Sequence, residues 1–128
     1  MSSIFSKIVA GEIPCYKVAE DDNHLAFLDI LPIAKGHILV IPKKEIDKIW
    51  DLSEHEFLSL HLFANRVAKK MEAVFPCKRI GMAVIGLEVP HAHIHLVPMN
   101  EIGDITFTKD RLTFTPEEYQ EMVQLMTH

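Results

Sequence analysis

The chain has 128 residues, enough for one domain whose core needs no disulfide or structural metal. Its formal charge is −5, and no lysine or arginine cluster exceeds a pair (Lys43-Lys44, Lys69-Lys70, Lys78-Arg79), which excludes the basic patch that nucleic-acid binding needs. Two distant cysteines, Cys15 and Cys77, fit a reducing compartment, and no stretch reads as a signal peptide or a membrane span, so a cytoplasmic location without membrane contact is expected.

Residues 3–10 are expected to form a short helix, with Ile4, Phe5 and Ile8 on one side and Gly11 as its stop. Pro14 then forces extended chain, where Cys15 reads as a packed thiol. Residues 16–19 and 24–28 read as the strands of a hairpin around the turn cluster Asp21-Asp22-Asn23. Residues 29–36 form a loop, and 37–42 a buried strand of branched residues ended by Pro42. Trp50 is expected to plug the start of a long helix, which Ser53 and Glu56 open as a capping box. That helix should run to about Phe75, with Pro76 beyond. Leu60, Phe63, Ala64, Val67, Met71 and Val74 recur on its inner face, while Leu58 and Leu62 stack on the opposite one and hint at a subunit contact.

Residues 80–85 and 89–97 read as two more strands, separated by a bend at Gly86, the second ended by Pro98. Thr115 and Glu118 form a second capping box, with Pro116 at the favoured first position of a helix reaching about Met126. No linker divides the chain. The expected architecture is one α+β domain over residues 1–128, an antiparallel sheet of about five strands with one long helix and short terminal helices.

Eight histidines are many for this length, and three fall in the run His91-Ala92-His93-Ile94-His95. Read as a strand, the run puts three imidazoles on one face, roughly 7 Å apart, with Ala92, Ile94 and Leu96 on the other. A lone strand histidine is usually structural. Three on one face are not so easily explained: buried and charged they would repel one another, and exposed they would offer no stability over threonine or lysine. His24, His55, His61 and His128 are isolated and read as structural or solvated.

Two chemistries fit the run. His-x-His on a strand can supply zinc ligands, although only Glu101 follows nearby as a general base. Alternatively a neutral imidazole, with a solution pKa near ~6.5, is an available nucleophile once its Nδ1–H is held by an acceptor. Attack on phosphorus would give a phosphohistidine, with the flanking imidazoles donating to phosphoryl oxygens and carrying protons.

The run His91-Ala92-His93-Ile94-His95-Leu96-Val97-Pro98 closely resembles the motif of the histidine triad (HIT) family, in its Hint branch. The resemblance covers nearly all of the chain up to Pro98, including Ile4-Phe5-Ser6-Lys7-Ile8, Gly11-Glu12-Ile13-Pro14, Leu25-Ala26-Phe27-Leu28-Asp29-Ile30 and Gly36-His37-Ile38-Leu39-Val40-Ile41-Pro42-Lys43. Residues 1–98 thus form the family core, and residues 99–128 an extension of unassigned role.

The resemblance implies a role for each matching position. His93 is the nucleophile that becomes nucleotidylated, His91 and His95 flank it, and His37 supports them. Asp29 accepts hydrogen bonds from the ribose hydroxyls, and Ile4, Phe5, Ile8, Phe27 and Ile30 form the apolar cleft for a purine. The implied reaction is at a nucleotide α-phosphate, typically of a phosphoramidate; a dinucleoside polyphosphate substrate and a binding module without turnover are the alternatives. An imidazolium beside the nucleophile would protonate the leaving amine, worth ~10²–10⁴ in rate. No cofactor is implied, and a homodimer joining two sheets is.

Two departures alter those implications. Many bacterial relatives hold a structural zinc through a Cys-x-x-Cys and a histidine at positions that here are Ser3, Ser6 and Glu45, poor ligands, so no metal is expected. The segment before the triad, Ala83-Val84-Ile85-Gly86-Leu87-Glu88-Val89, is shorter than in relatives, lacks the usual asparagine and glutamine, and places Glu88 where it would repel a phosphate unless it points away or engages an amine leaving group.

Overall fold

The computed structural model describes residues 2–128. The first helix, α1, spans Ile4–Val9; the side chain of Ser3 caps it by accepting the Ser6 N–H. Strands β1 (Lys17–Glu20) and β2 (His24–Leu28) form the expected hairpin, closed by the Asp21 carboxylate, which accepts the N–H groups of Asn23 and His24. Strand β3 covers Ile38–Pro42, and α2 covers Glu54–Val74 behind a complete Ser53–Glu56 capping box. Strands β4 (Arg79–Ala83) and β5 (Ile94–Met99) follow, and α3 (Pro116–Thr127) starts on the Thr115–Glu118 box. Single-turn helices at Ile49–Asp51 and Ile102–Asp104 complete the chain.

All five strands pair antiparallel in the order β1-β2-β3-β5-β4, as the expected α+β architecture requires. The pleat sorts them into two faces. One row, Ala26–Val40–Ile94 with Leu28–Ile38–Leu96, faces α2 and α3 and forms the main core with Leu60, Met71 and Met122. Burying side chains of this size contributes about 1.5–3 kcal/mol each. The opposite row runs Phe27–Leu39–His95–Ala83 across the sheet. Phe5 of α1 covers part of it, packing with Leu25, Phe27, Leu39 and Ile41. This second face is the one that carries the histidines.

Three local expectations change. Strand β5 starts at Ile94, not at residue 89, because Ala92 gives its N–H to Ile46 and His91 gives its own to Val89, so neither joins the sheet ladder. The strand also continues through Pro98 to Met99: β3 stops pairing at Leu96, so a missing N–H costs little on that side. Trp50 does not plug the helix start; it is 77% exposed, and Ile49 and Leu52 fill that place. Leu58 and Leu62 are exposed, as their face of α2 predicts. Among the described residues, no helix is long and apolar enough to cross a membrane.

Candidate active site

His95 is the only triad member inside a strand; His91 stands at a bend and His93 on the irregular segment leading into it. All three rings are buried, yet they face different partners. The expectation of three imidazoles on one face of a strand therefore holds only for His95 as a strand residue, and the three rings bond separately.

His93 points into the second face, its ring centroid 5.0 Å from Phe5 and 4.9 Å from His95. Its Nδ1 lies 2.7 Å from the carbonyl oxygen of His91. A carbonyl only accepts, so Nδ1 carries the proton and Nε2 carries the lone pair. Among the described residues no buried side-chain nitrogen or oxygen lacks a partner, so this free Nε2 reaches solvent.

His95 and His37 are linked in the opposite sense. The backbone N–H of Ile33 donates to Nδ1 of His37 at 3.1 Å, so the His37 proton is on Nε2. That Nε2–H donates to Nδ1 of His95 at 3.0 Å, which forces the His95 proton onto its own Nε2. The site thus exposes one lone pair, on His93, beside one N–H donor, on His95. Burial pushes His37 and His95 down to about 3, helped at His37 by the positive charge of Arg111 and at His95 by its neighbours His93 and His37. Both rings are neutral at physiological pH.

His91 is the most enclosed ring, with no exposed surface. Its Nε2–H donates to the Pro42 carbonyl at 2.8 Å, and its Nδ1 accepts from the Ser3 hydroxyl at 2.8 Å. Burial lowers its pKa, while the Glu45 carboxylate opposes that effect. With both nitrogens engaged, His91 holds no proton that a leaving group could reach. The expected proton delivery by a flanking imidazolium has no support at His91, and His95 is held neutral.

Asp29 follows β2, two residues beyond Phe27. Its Oδ1 accepts the Leu31 N–H at 2.9 Å and its Oδ2 lies 3.5 Å from Nε2 of His37, with the side chain partly open to solvent. Of the apolar cleft residues, Phe5 and Phe27 meet edge to face at 5.6 Å and Ile8 packs against them. Ile4 and Ile30 are exposed, as are Leu87 and Glu88 on the loop after β4.

Two groupings bear on metal binding. Ligand atoms of Asp29, His37 and His95 lie within 4.8 Å of one another. His37 has no lone pair to offer there, because Nδ1 accepts from Ile33 and Nε2 is protonated. At the other grouping, Glu45 Oε1 accepts from the Ser3 N–H at 2.5 Å and the Ser6 hydroxyl at 2.6 Å, while Ser3 turns its hydroxyl to His91. These side chains satisfy one another and suit hydrogen bonding better than zinc.

The extension brings residues to the site that sequence reasoning did not assign. Phe107 packs on His95 with centroids 4.6 Å apart and on His37 at 6.1 Å. Arg111 lies over the Phe107 ring and donates to the Leu31 carbonyl at 2.7 Å. Tyr119 stacks on Tyr16 and donates to the Asp29 carbonyl. No local pattern around Phe107 or Arg111 marks them; only the folded chain places them there.

The family described as HIT domain matches residues 10–102. The adenosine 5'-monophosphoramidase of Schizosaccharomyces pombe is 39% identical over 124 residues, spanning 95% of this chain and 93% of that protein. A Hit-like protein from Bartonella henselae superposes with a TM-score of 0.86 at 28% identity, over 98% of this chain and 94% of that one. A histidine triad family protein from Mycobacterium smegmatis, solved with bound zinc, superposes with a TM-score of 0.82 at 26% identity, over 98% of this chain and 94% of that one.

Proposed function

The chain belongs to the HIT domain family, and from that membership and the ring geometry we propose that it hydrolyses purine nucleoside phosphoramidates at the α-phosphate through a phosphohistidine on His93. The observation that carries this reading is the 2.7 Å bond from His93 Nδ1 to the His91 carbonyl, which leaves Nε2 as a lone pair in the cleft. Similarity to an adenosine 5'-monophosphoramidase supports the substrate class.

In the first step Nε2 of His93 forms a bond to phosphorus and the P–N bond breaks. The departing amine takes a proton from solvent. His95 Nε2–H donates to a phosphoryl oxygen, where negative charge accumulates. In the second step water attacks phosphorus and the histidine–phosphorus bond breaks. Nucleoside monophosphate leaves, and the attacking water gives up a proton to solvent, balancing the one that left on the amine.

Asp29 accepts from the ribose hydroxyls, and Phe5, Phe27, Ile8, Ile4 and Ile30 hold the purine. Glu88 meets the amine side of the substrate. The protein works as a cytoplasmic homodimer; β4 is an edge of the sheet with Met82 exposed, which supports pairing of two sheets there. The test is turnover of a fluorogenic adenosine phosphoramidate, with and without chelator, in wild type and His93→Ala. Chelator-resistant turnover absent from the variant supports the proposal. Binding without turnover marks a binding module instead, and loss with chelator marks a metal-dependent hydrolase.

A further inference from the structure

The geometry points to Glu45 as a positioning residue that orients the nucleophile through Ser3 and His91, a role that rests on the proposed use of His93. The connection can be followed atom by atom. Glu45 Oε1 accepts from the Ser3 backbone and the Ser6 hydroxyl. That holds the start of α1 against the loop after β3, across 42 residues of chain. Ser3 Oγ accepts the Ser6 N–H at 3.0 Å, so its own proton is directed to Nδ1 of His91 at 2.8 Å. His91 must then be protonated on Nε2, which donates to the Pro42 carbonyl.

The ring of His91 is thereby pinned at both nitrogens, three residues before Glu45 on one side and at the N-cap of α1 on the other. Its backbone carbonyl is the acceptor that sets the tautomer of His93. A carboxylate at the surface therefore governs where the nucleophilic lone pair points, without touching substrate. The Ser3 backbone N–H and the Ser6 hydroxyl hold that carboxylate ionised, its pKa pushed down to about 2, so the acceptor is available across the physiological range. Phe5, on the same short helix, packs edge to face on both His91 and His93, so displacement of α1 would reach both rings.

The test uses the full chain with Ser3→Ala, Glu45→Ala and Glu45→Gln. Long-range proton–nitrogen NMR spectra of the imidazoles report the His93 tautomer without substrate, and so decide the claim even where the wild type turns over no phosphoramidate. The wild-type protein should show His93 protonated on Nδ1 alone, as its bond to the His91 carbonyl requires. Ser3→Ala and Glu45→Ala, which loosen the hold on His91, should show mixed His93 tautomers. In both, kcat should fall about tenfold, as a misoriented nucleophile requires, with KM within about twofold. Glu45→Gln, whose amide oxygen accepts the same two bonds, should behave as wild type. An unchanged His93 tautomer in Ser3→Ala and Glu45→Ala would overturn the inference, as would equal losses in Glu45→Gln and Glu45→Ala. If Glu45→Ala does not fold, Ser3→Ala decides alone.

Discussion

The backbone N–H of Ile33 donates to Nδ1 of His37, and this single bond dictates which nitrogen of His95, one ring further on, carries a proton. A neutral imidazole has one donor and one acceptor, so a fixed donor at one end of a pair orders the whole pair. The result is an N–H pointing out of His95 beside the lone pair of His93.

Replacing His37 by phenylalanine keeps a ring in the core but removes the donor to His95. The His95 tautomer is then free, and kcat should fall about ten- to a hundredfold with little change in KM. Steady-state kinetics and imidazole NMR spectra check this together. The Ile33 N–H loses its acceptor, so stability should drop by about 1–3 kcal/mol in urea denaturation.

Stability should decline as the pH falls from about 6.5. His37 and His95 are held down to about 3 by burial, whereas in the unfolded chain they titrate near ~6.5. Between those values the unfolded state binds the protons and the folded state does not. Their contribution is complete above ~6.5 and is lost progressively toward pH 3, by at most about 1.4 kcal/mol per pH unit for each ring. The carboxylates titrate lower, so urea denaturation at pH 7, 6 and 5 reads this effect together with that of His91, whose pKa burial also lowers. His37→Phe should flatten the slope.

Asp29→Asn should raise KM for nucleotide substrates with a smaller effect on kcat. The asparagine oxygen can still accept the Leu31 N–H, but the charge that strengthens bonds to ribose hydroxyls is gone. A loss of about 1.5–3 kcal/mol corresponds to roughly a ten- to hundredfold rise. A 2',3'-dideoxyribose substrate should bind both proteins equally.

Glu88→Gln should weaken turnover of phosphoramidates with cationic leaving groups and spare neutral ones. The side chain is exposed, so the effect should be modest and should fade with added salt. Equal effects on both substrate types would refute the assignment.

Features set by short spacing were readable in advance. The Ser53–Glu56 and Thr115–Glu118 boxes depend on a three-residue separation, and both exist in full. The inner face of α2 follows from helical period, with Leu60, Phe63, Ala64, Val67 and Met71 buried and Val74 only partly so. The start of β5 was not readable, because the bond that removes Ala92 from the ladder comes from Ile46, remote in sequence. The link from Ser3 to His91 spans 88 residues and leaves no local trace. Ser3, Ser6 and Glu45 could be recognised as poor zinc ligands, but their mutual hydrogen bonding appears only when the fold brings them together. Phe107 and Arg111 reach the histidines by the same route.

The proposed chemistry is tested most directly by trapping the intermediate. Wild-type protein is mixed with an adenosine phosphoramidate in the presence of chelator, quenched in alkali within the first turnover, digested, and examined by mass spectrometry. The account predicts an adenylyl adduct on the peptide bearing His93, localised to that side chain and absent from His93→Ala. Turnover with no adduct on His93, or with the adduct on a different residue, would contradict it.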